Sequence, residues 1–185
     1  MSIRTELYLK SMETPIGSVK IGATSRGICL LEFADRAGLE AEIETRAKRM
    51  GAIRVAGENP YLEKAISQIT EYFKGLRKDF EISLDIFGTV FQQKVWEQLQ
   101  SIPYGTTKTY KEQAVAIGNP KGVRAVAHAN GSNPIAIIVP CHRVIGSNQK
   151  LTGYAGGLWR KRFLLQLEAE NSPKSQTTGH PLVLF

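Results

Sequence analysis

The chain has 185 residues, of which 42% are hydrophobic and 22% charged, a composition typical of a globular protein rather than a disordered or fibrous one. Its longest apolar run, 134–141, is far too short to cross a bilayer, and the first residues lack the apolar core of a secretory signal. We therefore expect a protein of the cytoplasm and nucleoid, or of the nucleus in a eukaryote, without a membrane partner.

The net charge of +7 is concentrated in the second half of the chain. Residues 1–87 contain 13 Lys or Arg and 13 Asp or Glu, whereas residues 88–171 contain ten Lys or Arg and only four Asp or Glu. A basic excess confined to one segment is typical of a polyanion-binding domain joined to a neutral one. A basic surface that only aids solubility is the alternative.

The first half has the alternating and helical patterns of a small α+β domain. Its one cysteine, Cys29, lies in an apolar run and is predicted to be a core residue, and without histidines this half offers too few ligands for a metal site. In chain order we predict strands over 6–12, at 19–21 and over 27–33, a helix over 39–50, a strand near 53, a helix from 60 and a closing strand over 80–86.

The second half changes to short helices, so we expect one domain over 1–87, a second over 88–171 and a flexible polar tail over 172–185. In chain order its predicted elements are a helix over 91–99, a loop over 102–105, helices over 110–117 and 120–130, and a last helix over 158–169.

The two central helices are predicted from their caps. Thr109 and Glu112 have the spacing of a capping box, and Asn119 followed by Pro120 is a typical helix start. Because Gly118 separates the two helices by a short turn, they form a predicted helix-turn-helix.

The faces of the second helix differ in chemistry. At 100° per residue, Val123, Val126 and Ala127 share the inner face. The outer face carries Lys121, Arg124, Ala125 and His128. A helix about 10–12 Å across needs small residues, such as Ala125, Ala129 and Gly131, to approach the floor of a minor groove about 6 Å wide. We therefore expect sequence-independent minor-groove binding, with simple helix propensity of alanine as the alternative.

Cys141 and His142 lie together directly after the apolar run. A thiol is only slightly ionised at neutral pH, so a nucleophilic cysteine needs a nearby base. Because neighbouring side chains point apart, His142 would act on the sulfur through a bridging water. Glu168 follows the apolar face of the last helix, where its carboxylate would need a partner such as His142. The alternative places Glu168 on the surface at a frayed helix end.

Four segments of the second half together resemble a known family. They are PCHRV at 140–144, GYAGG at 153–157, the loop 102–105 followed by Thr109 and Tyr110, and NPKGVRAV at 119–126. On these segments, residues 88–170 resemble the O6-alkylguanine-DNA alkyltransferases, also called methylated-DNA–protein-cysteine methyltransferases, while the first half matches mainly in layout. The resemblance implies an α+β fold with an N-terminal ribonuclease H-like small α/β domain and a C-terminal, mostly helical, winged-helix-like domain that contains the helix-turn-helix.

The resemblance implies the roles of the reactive residues. Cys141 would take an alkyl group from O6 of guanine and keep it, so each molecule would act once. His142 would be the water-mediated base, Glu168 would orient it, and Asn133 would order the active-site turn. Tyr154 would donate a hydrogen bond to the guanine ring as the leaving purine gains negative charge.

The resemblance also implies how DNA is bound. Tyr110 would press on the phosphate beside the lesion, and Arg124 would fill the gap in the base stack after the alkylated nucleotide rotates out. The backbone N–H of Ala155, where some relatives carry serine, would contact O6. The pocket residues would be Val144, Ala155, Gly156 and Lys161, the last either near the pocket mouth or in solvent on its helix.

The expected partner is double-stranded DNA carrying O6-alkylguanine, bound by a monomer that uses no cofactor and no metal, with cooperative binding along DNA left open. Three alternatives compete with this interpretation. A non-catalytic lesion-binding protein would lack Cys141. A helix-turn-helix transcription regulator would need a dimerisation segment and a polar recognition face, and a cysteine hydrolase would turn over repeatedly.

Overall fold

The computed structural model describes residues 5–172, which form two compact units divided between Phe87 and Gly88. The predicted flexible tail lies outside the described residues, apart from Ser172. Within residues 5–172, no helix is both long enough and apolar enough to span a membrane.

The first unit is built on a mixed four-stranded sheet with the strand order β3-β2-β1-β4. Strand β2 pairs antiparallel with β1 and β3, and β4 pairs parallel with β1. The elements are β1 (Thr5–Met12), β2 (Val19–Ala23), β3 (Ile28–Phe33), α1 (Leu39–Met50), β4 (Ala52–Val55) and α2 (Pro60–Phe73). The α+β layout predicted from the sequence is confirmed.

Local sequence explains where these elements begin and which residues they bury. Asn59 caps the start of helix α2, because its side chain accepts from the backbone N–H groups of Tyr61 and Leu62, and Pro60 occupies the first helical position. Every residue of β3 is buried, as its apolar run predicts. Cys29 lies in this core, and burial raises its pKa to about 12, so this thiol is protonated at neutral pH.

The closing strand predicted over 80–86 is wrong. The segment makes only an isolated bridge, between Leu84 and Ile28, with hydrogen bonds from Ile28 N to Ser83 O and from Asp85 N to Ile28 O. Over 80–84, half-buried residues still alternate with exposed ones, which is the pattern that the sequence carries. An extended segment produces this alternation without a ladder, because side-chain alternation needs no paired neighbour.

The second unit is mostly helical. Its elements are α3 (Val90–Gln100), β5 (Lys108–Thr109), α4 (Tyr110–Ala116), α5 (Val123–Gly131), a 3₁₀ turn (Cys141–Arg143), β6 (Val144–Ile145) and α6 (Leu158–Asn171). The two-residue strands β5 and β6 pair in parallel and bring the start of α4 beside the chain that follows Cys141. This pairing joins the helix-turn-helix to the reactive segment.

The helix-turn-helix consists of α4 and α5. The predicted capping box is confirmed, since the Thr109 side chain accepts from Glu112 N and the Glu112 side chain accepts from Thr109 N. The predicted start of the second helix at Pro120 is wrong, because α5 begins at Val123. Residues 119–122 instead form a turn closed by a hydrogen bond from Gly122 N to the carbonyl of residue 119, and Lys121 therefore lies in this turn and not on the helix.

Candidate active site

Cys141 lies in the 3₁₀ turn at the end of a buried apolar segment, and the residue is 8% exposed. The chain reverses through Ile137, whose φ of 69° lies in the left-handed region that a β-branched residue rarely adopts. Such strain persists only where the surrounding structure imposes it. The packing of this segment therefore holds the sulfur at a defined position.

The side chain of Asn133 ties this turn together. Its Nδ2 donates to the carbonyl of Val139 (2.8 Å) and contacts Cys141 Sγ (3.2 Å), and its Oδ1 accepts from Ile135 N (3.0 Å). An N–H donor at sulfur favours the thiolate over the thiol, because a hydrogen bond to the charged form stabilises it. The geometry thus allows Asn133 both to order the turn and to promote the nucleophile.

His142 and Glu168 are in direct contact and fully buried, with 2.7 Å between Nε2 and Oε1. The alternative surface placement of Glu168 is therefore wrong. Because an ionised carboxylate only accepts hydrogen bonds, Nε2 of His142 carries the proton and Nδ1 keeps the lone pair. Among the described residues, this buried Nδ1 has no hydrogen-bond partner. Nδ1 is thus the nitrogen able to take a proton.

Sequence reasoning missed two further partners of the Glu168 carboxylate. Arg143 donates from Nε to Oε2 (2.9 Å) and from NH2 to Oε1 (3.0 Å), while its NH1 donates to the carbonyl of Ile102 (2.6 Å). The N–H of Gly105 donates to Oε2 (2.9 Å). Arg143 stands within PCHRV, so its position beside His142 was the available signal, but the contact with Glu168 spans 25 residues and cannot be deduced from spacing.

These contacts set the charges of the buried group. Burial alone would raise the pKa of Glu168, but His142 and Arg143 hold it well below its usual value, so the carboxylate is ionised. Burial is also the largest influence on His142, and it lowers the pKa despite the attraction of Glu168. Since Arg143 already balances the carboxylate charge, the imidazole is neutral at physiological pH and available as a base.

Lys161 is fully buried, which excludes the alternative of a solvated charge on its helix, while its position near the pocket mouth stays a prediction. Its Nζ donates to the carbonyls of Val144 (2.5 Å), Thr152 (2.6 Å) and Gly153 (3.3 Å). Burial lowers the pKa of Lys161 to about 8. The ammonium group connects the 152–153 loop to the chain that follows Cys141, and one of its acceptors is the carbonyl of Val144, a predicted pocket residue.

The predicted phosphate contact, Tyr110, is a buried residue at the start of α4. Its hydroxyl donates to the carbonyls of Thr152 (3.2 Å) and Gly153 (3.1 Å), the same groups that bind Lys161. Tyr110 therefore helps to hold the 152–153 loop against α4, and a contact with phosphate stays a prediction.

The loop that precedes α6 carries the other predicted pocket residues. Tyr154 is partly buried, Ala155 is exposed and Gly156 is buried. The carbonyl of Gly156 accepts from NH1 of Arg160 (3.0 Å), a buried side chain that no sequence pattern singled out. The loop is thus anchored at its base and open at Ala155.

The outer face of α5 is exposed and small, as predicted, with Arg124, Ala125, His128 and Gly131 in solvent. The prediction for Ala129 is wrong, because this residue is buried and its carbonyl accepts from Nε1 of Trp96 (2.8 Å). Ala129 lies three residues after the buried Val126 and so shares its inner face.

The basic surface is smaller than the charge count suggests. Three of the positively charged side chains of this unit, Arg143, Arg160 and Lys161, are buried in the site. The positive charge available to a polyanion therefore comes from the remaining side chains, among them Lys121 and Arg124. Among residues 5–172, no group of three or more His, Cys, Asp or Glu side chains is placed to hold a metal ion.

Two family models match the chain. Residues 7–86 match the ribonuclease-like domain of 6-O-methylguanine DNA methyltransferase, and residues 90–170 match the DNA-binding domain of the same family. The two matches cover the two structural units described above.

Whole proteins show the same likeness. The chain is 45% identical over 166 residues to the methylated-DNA–protein-cysteine methyltransferase of Methanosarcina barkeri, covering 89% of this chain and 99% of that protein. It is 54% identical to the constitutive methylated-DNA–protein-cysteine methyltransferase of Bacillus subtilis, covering 87% and 94%.

Solved structures agree in fold. The O6-methylguanine methyltransferase of Mycobacterium tuberculosis superimposes with a TM-score of 0.78 at 39% identity, covering 91% of this chain and 96% of that one. The same organism's OGT in complex with DNA gives a TM-score of 0.75 at 40% identity, with the same coverage. On sequence, fold and the arrangement around Cys141, the chain belongs to the methylated-DNA–protein-cysteine methyltransferase family.

Proposed function

We propose that this protein repairs alkylated double-stranded DNA by transferring an alkyl group from O6 of guanine to Sγ of Cys141. The observation that carries this proposal is the nearly buried Cys141 beside the His142–Glu168 pair in a chain of this family. Because a thioether does not hydrolyse readily, the transfer is irreversible and each molecule acts once.

The proton of the thiol leaves through His142. A water between Sγ and Nδ1 relays the proton to the imidazole, and the Glu168 carboxylate stabilises the imidazolium through Nε2. The arrangement follows the logic of a catalytic triad, with the carboxylate fixing which nitrogen is the base. Arg143 in turn fixes the carboxylate through two donated hydrogen bonds.

In the transfer itself, the S–C bond forms as the C–O6 bond breaks, and the electron pair of the broken bond goes to the purine. Overall, the guanine gains the proton that the thiol has lost, so the reaction balances without another reactant. Donors aimed at the leaving purine stabilise the charge that develops on it. The Tyr154 hydroxyl and the N–H of Ala155 are the groups proposed for this task.

The helix-turn-helix brings the lesion to the thiol. The small exposed residues of α5, Ala125 and Gly131, suit close approach to the minor groove without reading a sequence. The O6 atom of a stacked base cannot enter a pocket, so the alkylated nucleotide must rotate out of the duplex. Arg124, exposed on α5, is the side chain proposed to fill the gap that the rotated nucleotide leaves in the base stack. The protein is proposed to bind DNA as a monomer.

The test is intact-mass and peptide analysis after incubation with duplex DNA that contains O6-methylguanine. We expect one added methyl group per molecule, located on the Cys141 peptide, and none in a Cys141→Ala control. Binding without any change in mass would contradict the proposal and favour a lesion-binding protein. A methyl group on Cys29 instead would reject the assigned nucleophile.

A further inference from the structure

Two buried amide side chains connect the helices of the helix-turn-helix. Asn130 on α5 donates from Nδ2 to Oε1 of Gln113 on α4 (2.6 Å), and Gln113 donates from Nε2 to Oδ1 of Asn130 (3.2 Å). Gln113 also donates to the carbonyl of Val95 on α3 (3.3 Å). Gln113 is 0% exposed and Asn130 is 5% exposed. The pair thus connects α3, α4 and α5 through hydrogen bonds that are shielded from solvent.

This pair specifies one arrangement of the helices. The Val95 carbonyl can only accept, so the nitrogen of Gln113 must face it, and the orientation of Asn130 follows. The two reciprocal hydrogen bonds form at only one relative position of α4 and α5, and any other position leaves buried polar atoms without partners. Two apolar side chains would allow one helix to shift along the other. Trp96 fixes the same end of α5 a second time, through its bond to the Ala129 carbonyl.

A short chain of hydrogen bonds leads from this pair to the nucleophile. The carbonyl of Asn130 accepts from the backbone N–H of Asn133 (3.2 Å). The side chain of Asn133 then contacts Cys141 Sγ and the Val139 carbonyl. Gln113 and Sγ are therefore connected through only two intervening residues.

We propose that Gln113 and Asn130 are positioning residues for the alkyl transfer, which hold the C-terminal end of α5 so that Asn133 keeps Cys141 Sγ in its reactive position. The role in alkyl transfer rests on the proposed function. The hydrogen-bonded connection from Gln113 to Cys141 Sγ rests on the structure alone. The pair couples the helix that binds DNA to the group that reacts.

The decisive variant is Gln113→Met with Asn130→Ala, which replaces the amide pair by apolar groups of nearly the same combined volume and so keeps the packing. Asn130→Ser, which keeps a small polar side chain but loses the reciprocal pair, is the milder variant if the double variant does not fold. Gln68→Met is the matched control, because Gln68 is a buried amide of the first unit whose Oε1 accepts from Glu81 N, whereas Cys141 belongs to the second unit.

For each variant we measure the melting temperature and the affinity for duplex DNA. We also measure the rate of alkyl transfer with two substrates, duplex DNA and a free O6-alkylguanine base. The rate at which iodoacetamide modifies the Cys141 peptide is followed across pH. We expect the transfer rate to fall on the order of tenfold to a hundredfold with both substrates, since small misplacement of a reacting group has effects of this size. The iodoacetamide profile should move to higher pH, while DNA affinity stays within about twofold. Gln68→Met lowers the melting temperature through the lost bond to Glu81 N but keeps the wild-type transfer and iodoacetamide rates.

Two results would overturn the proposal. Unchanged transfer and iodoacetamide rates would mean that Gln113 and Asn130 contribute only to packing. A loss of DNA affinity with an unchanged free-base rate would mean that the pair acts only in DNA binding. If the wild-type protein transfers no alkyl group at all, the proposed function fails, and the iodoacetamide profile still decides whether the pair positions the sulfur.

Discussion

Glu168 is the residue on which the interactions of the site converge. Its two oxygens accept hydrogen bonds from His142, Arg143 and the backbone N–H of Gly105. A fully buried carboxylate is tolerated only when its charge is balanced and its lone pairs are occupied, and these three donors meet both conditions. The same carboxylate stabilises the fold and selects the basic nitrogen of His142.

Replacement of this carboxylate tests both roles. In Glu168→Gln, we expect the rate of alkyl transfer to fall by about a hundredfold or more, because His142 loses the negative charge that stabilises its protonated form. We expect the free energy of unfolding to fall by about 3–5 kcal/mol, because the charge of buried Arg143 is left unpaired. DNA affinity should change little, since Glu168 is 0% exposed.

Single-turnover kinetics, denaturant unfolding and DNA titration measure these three effects. Glu170→Gln is the matched control, because Glu170 is exposed on the same helix. Unchanged kinetics in Glu168→Gln would remove this residue from the proton relay.

At the scale of elements, the loop before β5 supports the site from outside the reactive segment. Gly105 has a φ of 73°, and a Cβ placed there would lie 1.9 Å from Ser172 Oγ and 3.3 Å from the Glu168 carbonyl. The loop can thus approach the end of α6 only with glycine at this position. Its N–H reaches the Glu168 carboxylate as a result.

A side chain at this position should disturb both stability and reaction. We expect Gly105→Ala to lower the free energy of unfolding by about 1–3 kcal/mol through backbone strain and the clash with Ser172, and to slow alkyl transfer by displacing the Glu168 carboxylate. Gly51→Ala separates the two effects, because Gly51 also has a positive φ but has open space around it. If Gly105→Ala slows transfer no more than Gly51→Ala does, the loop has no part in the site.

Helix α5 presents the group proposed to replace the extruded base. We expect Arg124→Ala to reduce the rate with duplex DNA by about tenfold or more, because extrusion costs a few kcal/mol that the inserted side chain offsets. The rate with a free O6-alkylguanine base should stay unchanged, since a free base needs no extrusion. Arg162→Ala, an exposed arginine on α6, is the control. Equal losses on both substrates would contradict the stack-filling role.

At the scale of the whole molecule, the buried ionisable groups determine how stability depends on pH. The folded pKa of Lys161 is about 8, below its ordinary value of 10.5. Between these values the unfolded chain binds a proton that the folded chain does not, so the contribution of Lys161 to stability rises with pH. The lowered pKa values of His142 and Glu168 act in acid, where stability falls as these groups are protonated.

The prediction concerns a difference between two proteins. In wild type minus Lys161→Met, we expect the free energy of unfolding to increase from pH 8 to pH 10, because only wild type releases this proton on folding. Taking the difference removes the opposite trend from Cys29, whose raised pKa lowers stability above pH 9 in both proteins. Denaturant unfolding across this range measures the effect, and a flat difference would mean that Lys161 titrates normally in the folded state.

The sequence by itself determined most of the helices, the strands of the first sheet, the helix-turn-helix and the family, because caps, apolar periodicity and short motifs are local signals. It also placed Cys141, His142 and Glu168 in one site. The strand predicted over 80–86 is wrong because an unpaired extended segment also alternates. The helix start predicted at Pro120 is wrong because an Asn-Pro pair also occurs in turns.

Only the tertiary structure decided which groups share the Glu168 carboxylate, where Lys161 lies and how Gln113 is linked to Cys141. Arg143 and Gly105 reach Glu168 across 25 and 63 residues, and Gln113 reaches Asn130 across 17. Such contacts depend on how helices and loops pack against one another, and no local pattern encodes the distances between them. Burial then shifts the pKa values of His142 and Lys161, because desolvation penalises a charge only after the fold has removed it from water.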